Sequence, residues 1–212
     1  MVVADQTELF TAASLRREES TERLPEGFEY RPEFISAAEE SELVGLIREL
    51  PLQEAQYRQF TARRRIVSFG GSYDFLHHEL LPAGPLPEFL LPIRARISAW
   101  TSIPAEAYTH ALVAEYQIGT PLGWHRDVPD FEAIAGLSLA GSARMRLRPY
   151  PPAKGRRDLT IRLDLEPRSA YAIVGVARWR WQHAISPTKE LRYSITFRTR
   201  RSGTAAASGA DR

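Results

Sequence analysis

Arg192-Tyr193-Ser194-Ile195-Thr196-Phe197-Arg198 alternates without a break. Successive side chains of an extended strand point to opposite faces. Arg192, Ser194, Thr196 and Arg198 therefore share one face, and Tyr193, Ile195 and Phe197 the other. The apolar face asks for burial. The polar face carries two guanidiniums six residues apart. That suits either a wet edge strand or a grip on a small dicarboxylate, because the Arg fork matches carboxylate geometry.

Other short β-prone runs lie upstream, at 110–116, 134–139, 143–149, 159–165 and 169–175, with 191–200 the last of the series. Gly and Pro separate them, and many short strands divided by turn signals argue for a sandwich or jelly roll. Two helices are expected ahead of the strands. Ser36 with Glu39 makes a capping box, Leu43, Leu46, Ile47 and Leu50 give an apolar stripe, and Pro51 ends it. Leu86, Phe89, Leu90, Ile93, Ile97 and Trp100 mark a second helix over 86–100, which Pro92 kinks or starts. Between them Ile66–Phe69 is β-prone and Gly70-Gly71-Ser72 reads as a turn. The expected fold is mainly β (α+β): a double-stranded β-helix, or jelly roll, with two N-terminal buttressing helices. Residues 1–23 form a flexible N-terminal segment, 24–200 one domain and 201–212 a disordered tail.

A chain of 212 residues with 43% hydrophobic content can bury one sizeable core. No run approaches the roughly 18 apolar residues of a membrane span, and no secretory signal pattern is visible. The expectation is a cytoplasmic monomer. Cysteine is absent, so any metal must be held by His and carboxylates. Charge is uneven. Residues 1–54 hold thirteen acids and five bases, which leaves thirteen acids and twenty-three bases beyond them. A positive main body fits a polyanionic partner, and equally plain solubility.

The metal question turns on Gly123-Trp124-His125-Arg126-Asp127. In a strand His125 and Asp127 face the same way. Alone the pair is a weak signal. A second imidazole from a later strand, such as His183, would complete two nitrogens and one oxygen, the facial triad of non-haem Fe(II) oxygenases. His77 and His78 read as solvated, and His110 as a core histidine at the start of an apolar strand.

Taken together the motifs resemble the AlkB-type Fe(II)/2-oxoglutarate-dependent dioxygenases. The resemblance rests on Tyr116-x-x-Gly119, His125-x-Asp127, Leu137-Ser138-Leu139, Trp181-Gln182-His183 and the run from Arg192 to Arg198. Leu24–Tyr30 ahead of the first helix, and Phe69-Gly70 before Tyr73, extend it over residues 24–200. It implies Fe(II) on His125, Asp127 and His183. Tyr116 would hydrogen-bond 2-oxoglutarate, Arg192 would pair with its distal carboxylate, and Arg198 would lie near its metal-bound end and Asp127. Residues 24–109 would carry helices and nucleotide recognition, and 110–200 the catalytic roll. Three positions depart from the family. Ala114 and Ser194 stand where Asn is frequent, and Pro129 stands where the best-known bacterial member has a base-reading acid, with Asp130 one residue on.

The implied activity is oxidative dealkylation of damaged bases in DNA or RNA, consuming dioxygen and 2-oxoglutarate and releasing aldehyde, succinate and carbon dioxide. The target base would be single-stranded or flipped out. Phe69, Tyr73 and Phe75 would offer stacking surfaces and Asp130 a polar contact, with Arg63, Arg64 and Arg65 on phosphates. Against that, Phe69 and Phe75 read equally as core, and the arginines as a solvated face. Trp124, Trp179 and Trp181 read as packing the roll, while Arg144, Arg146 and Arg148 either line the entrance or pair with acids. Two alternatives stay open: the same chemistry on a protein side chain or small molecule, and a β-rich nucleic-acid-binding module without catalysis.

Overall fold

The computed structural model describes residues 23–57, 60–74, 79–81, 83–152 and 159–201. Expectations for residues 1–22, Phe75, His77, His78, the Arg63 side chain and the tail from Ser202 fall outside what it describes.

Thirteen strands are present among the described residues: β1 (Phe28–Arg31), β2 (Gln53–Tyr57), β3 (Phe60–Phe69), β4 (Ser72–Asp74), β5 (Glu79–Leu81), β6 (Tyr108–Tyr116), β7 (Leu122–His125), β8 (Phe131–Ala140), β9 (Ala143–Pro149), β10 (Ile161–Leu165), β11 (Ala170–Ile173), β12 (Trp181–Ile185) and β13 (Arg192–Arg200). A seven-stranded sheet runs β1-β11-β8-β13-β6-β3-β2, a four-stranded sheet runs β10-β9-β12-β7, and β4 and β5 form a hairpin. All the pairings are antiparallel. Two sheets facing each other in this order are the expected jelly roll.

The alternation in β13 decides which side faces what. Tyr193, Ile195 and Phe197 lie in one core cluster with Leu43 and Ile47 of α1 (Ala37–Arg48) and Ile93 and Ile97 of α2 (Leu91–Thr101). The helices therefore buttress the outer face of the large sheet. A second cluster joins Phe28, Ile134 and Ile173 of that sheet to Met145, Leu147, Leu165 and Ile185 of the small one. The polar face of β13 is turned into the space between the sheets.

The expected capping box is present: the Ser36 side chain accepts from the Glu39 N–H, and Glu39 accepts from the Ser36 backbone. The stripe is narrower than the sequence suggests, because Leu46 is 40% exposed. Pro92 sits in the first turn of α2 and does not kink it; a 3-10 turn, Glu88–Leu90, precedes the helix. Pro is tolerated there because the first N–H groups of a helix have no partner within it. Gly70 makes the expected turn at φ 74°, and a Cβ there would fall 1.8 Å from the Thr109 carbonyl oxygen. The β1, β2, β4 and β5 strands and the short helix α3 (Gly175–Arg180) are additions that the sequence did not announce, and β7 ends at His125, so Asp127 lies in the loop beyond it rather than in the expected strand.

Candidate active site

β7 and β12 lie side by side with His125 directly opposite His183, their ring centres 4.2 Å apart. Asp127 follows two residues beyond His125 and swings back to the same spot. One ligand atom from each of the three lies within 4.8 Å of the others, and His183 Nε2 is 3.7 Å from Asp127 Oδ2. The structure thus gathers the three residues that the sequence nominated.

Each group is held in a ligating state. His125 Nδ1 is 2.8 Å from the Gly123 carbonyl oxygen. A carbonyl only accepts, so the proton sits on Nδ1 and the Nε2 lone pair is left for an ion. Burial lowers both imidazoles, His183 to about 3, so they are neutral donors at neutral pH. For Asp127 burial works the other way. The Arg198 guanidinium first, with Arg178 behind it, overrides it and holds the carboxyl well below the usual carboxylate range. Arg198 Nε donates to Oδ1 at 2.7 Å, which leaves Oδ2 toward His183. Two neutral imidazoles and one fixed carboxylate oxygen, with nothing thiolate nearby, suit Fe(II).

The second half of the site comes from the large sheet. Arg64, Tyr116, Arg192 and Ala140 form one cross-strand row, and Ala114, Ser194 and Ser138 another. Arg192 is only 2% exposed. Its Nε donates to Ser138 Oγ at 3.0 Å and its guanidinium carbon is 5.0 Å from the Tyr116 ring centre. Among the described residues no carboxylate lies within ion-pair distance of it. A buried charge without a counter-ion is costly, so this arginine fits a small carboxylate brought from outside. Burial tends to raise the Tyr116 phenol, yet the Arg64 and Arg192 guanidiniums outweigh it and leave it lowered.

Of the proposed base-contacting residues, Tyr73 is half-buried on β4, and burial first and Asp130 second raise its phenol. Phe69 packs against the helix-side core cluster. Arg65, offered as a phosphate contact, makes a two-pronged bond to buried Glu115, at 2.8 Å on each arm, with its side chain 47% exposed. Strand alternation then turns Arg64 the other way, toward Tyr116. Trp181 packs the inter-sheet core, but Trp124 lies beneath Arg146 and Arg148, and Trp179 between Arg178 and Arg201.

Two side chains escaped the sequence reading, and a third makes a contact that it did not foresee. Arg178 is buried, and its Nη2 donates to the carbonyls of Asp127, Val128 and Phe131 at 3.1, 2.7 and 2.8 Å, clamping the loop that carries Asp127. Tyr171 lies flat over Gly136, where a Cβ would stand 2.2 Å from its Cζ. His110 is a core histidine as expected, tilted against the Phe131 ring at 4.7 Å, and it also reaches Arg198 at 3.4 Å. An i, i+2 pattern exposes none of these, because each acts across strands.

Comparison with known proteins agrees. The family model described as the 2OG-Fe(II) oxygenase superfamily matches residues 27–198. Two curated relatives are the "Alkylated DNA repair protein ALKBH8 homolog" of Arabidopsis thaliana, 29% identical over 177 residues, 73% of this chain and 49% of that protein, and "Uncharacterized protein L905" of Acanthamoeba polyphaga mimivirus, 35% identical over 100 residues, 41% of this chain and 46% of that protein. The chain thus spans about half the length of the curated relatives it matches. In fold it is similar to OsALKBH1, with a TM-score of 0.65 at 16% identity over 83% of this chain and 99% of that one. It is also similar to a Pseudomonas putida prolyl-4-hydroxylase, with a TM-score of 0.57 at 17% identity over 84% and 94%.

Proposed function

Because this chain belongs to the 2OG-Fe(II) oxygenase superfamily, among its AlkB-type members, we propose that it removes alkyl groups oxidatively from damaged bases in nucleic acid. As a dioxygenase it works with Fe(II) and 2-oxoglutarate, which excludes a purely binding role. When bound, these supply the oxidation of a C–H bond by dioxygen, with succinate and carbon dioxide as co-products. An N-alkyl carbon hydroxylated in this way falls off as aldehyde and frees the base.

The protein's own part is placement. His125, Asp127 and His183 would hold the ion, with the Gly123 carbonyl and Arg198 fixing which atoms face it. Arg192, steadied by Ser138, would take the distal carboxylate, and Tyr116 and Ser194 would hydrogen-bond the same molecule. Arg198 stands near the end that meets the iron. The single observation carrying the substrate reading is the similarity to the "Alkylated DNA repair protein ALKBH8 homolog" of Arabidopsis thaliana. Tyr73 on β4 would offer a ring to stack on a base, and Asp130, three residues past Asp127, a carboxylate to accept from its exocyclic amine. The excess of bases beyond residue 54 supports a polyanionic substrate.

The test is aldehyde and succinate release over a panel of methylated and etheno-modified DNA and RNA oligonucleotides, with a proline-containing peptide as the competing substrate class. Aldehyde that requires Fe(II), 2-oxoglutarate and an alkylated base is expected. The reading fails if the enzyme turns over 2-oxoglutarate yet leaves every oligonucleotide intact. His125→Ala should lose iron and turnover together while still binding oligonucleotide.

A further inference from the structure

The outer face of the small sheet has no part in the chemistry described so far. On β9 the residues facing inward are Ala143, Met145 and Leu147, all buried, so Arg144, Arg146 and Arg148 face out. β10 places Arg162 opposite Arg146, and Asp164 opposite Arg144. On β7, Trp124 lies on the reverse side from His125, and the guanidinium carbons of Arg148 and Arg146 stand 4.2 and 5.0 Å from its ring centre. At the rim Arg126 lies 3.8 Å from the centre of the Tyr150 ring, itself 39% exposed. Arg162 aside, the described side chains of this face set four arginines against one carboxylate, Asp164. Arg144 already holds that carboxylate through two bonds of 2.7 and 2.9 Å.

We propose that this face is a docking surface for the single-stranded stretch of nucleic acid flanking the nucleotide being repaired. The inference rests on the nucleic-acid reading above and adds a second contact region to it. The arginines of β9 stand in a row about 13 Å long, at two-residue spacing, which matches a linear polyanion better than a compact acidic patch. Stacking on Trp124 and Tyr150 holds the guanidiniums flat, so that fewer rotamers are lost when they meet phosphate. The same stacking covers the Trp124 indole. Position completes the argument. β7 is the edge of the small sheet, with Trp124 on its outer side and His125 inside. A strand leaving the arginine row therefore crosses the outer faces of β12 and β7 and rounds the β7 edge to reach the triad.

The experiment uses iron- and 2-oxoglutarate-loaded enzyme without oxygen. Fluorescence anisotropy would follow a labelled, unmodified single-stranded 20-mer and a labelled trinucleotide. Arg146→Glu with Arg148→Glu should weaken the 20-mer about tenfold or more at roughly 0.1 M salt and leave the trinucleotide within about twofold. The log–log salt slope should shrink by about 1.4, from two lost single-strand contacts. Arg146→Lys with Arg148→Lys should keep most of the affinity, and Arg162→Glu should weaken the 20-mer in a chain whose Trp124 stack is untouched. Unchanged 20-mer affinity in both charge-reversal variants overturns the proposal. So does displacement of the 20-mer by phosphatidylserine vesicles or polyglutamate at equal charge. Aldehyde release is scored separately. Affinity loss without aldehyde overturns only the dealkylation reading, and aldehyde without affinity loss overturns only the docking face.

Discussion

Asp127 divides its two oxygens between two tasks, Oδ1 to Arg198 and Oδ2 toward His183. Without Arg198 the carboxylate would keep its place in the loop but lose its orientation. Arg198→Gln is accordingly expected to weaken metal binding roughly 10–100-fold, the usual effect of losing a group that orients a ligand, as read by Co(II) titration. His110 gives a different residue-scale outcome. Burial first, with Arg198 second, lowers its pKa from 6.5 to about 3. Between those values the unfolded chain binds a proton that the folded chain refuses. The His110 contribution is therefore complete above about pH 6.5 and drains away as pH falls toward 3, by up to a few kcal/mol. Urea midpoints measured from pH 7 to pH 4 should fall less steeply in His110→Asn than in the parent. Equal slopes would mean that His110 is free to protonate in the fold.

At the scale of elements, the inner face of the large sheet closes only because β8 carries glycine where β11 sends Tyr171 across it. In Gly136→Ala the new methyl would stand 2.2 Å from Cζ and 2.5 Å from the hydroxyl of Tyr171. Overpacking of this kind costs about 1–3 kcal/mol, several degrees in melting temperature for a chain of this size. Tyr171→Leu added to Gly136→Ala should recover most of the loss, since neighbouring substitutions are not additive; a double variant no better than the single one would place the strain elsewhere. The same contrast explains what was legible. β13, β8 and β9 could be read from sequence because one face of each is apolar throughout. Leu122-Gly123-Trp124-His125 and Trp181–Ile185 were legible only through their histidines and not from an apolar pattern, because their inward side carries the histidines and their outward side holds Trp124 and Gln182. Function had replaced the hydrophobic alternation that marks a strand. The triad and the β13 arginines were legible from spacing, whereas Arg64, Tyr171 and Arg178 depend on pairings made by the folded chain alone.

Viewed whole, the molecule places its site across a seam. His125 and His183 belong to the small sheet and Tyr116, Arg192 and Arg198 to the large one, with Asp127 tied to Arg198 across the gap. An ion and a dicarboxylate bound there would join the two sheets through groups that otherwise meet at few points. Ligands that bind only the folded state stabilise it by mass action, about 2.7 kcal/mol at a hundred times the dissociation constant. For a domain of this length that is a rise of about 5–10 °C in melting temperature. Mn(II) with 2-oxoglutarate, as a pair that binds without turnover, should therefore raise the melting temperature, and EDTA should return it to its starting value. Asp127→Ala should lose the metal-dependent part. Arg192→Ala should keep the response to Mn(II) alone but lose the further increment from 2-oxoglutarate. If Arg192→Ala still showed that increment in full, the buried guanidinium would not be the group that receives the distal carboxylate.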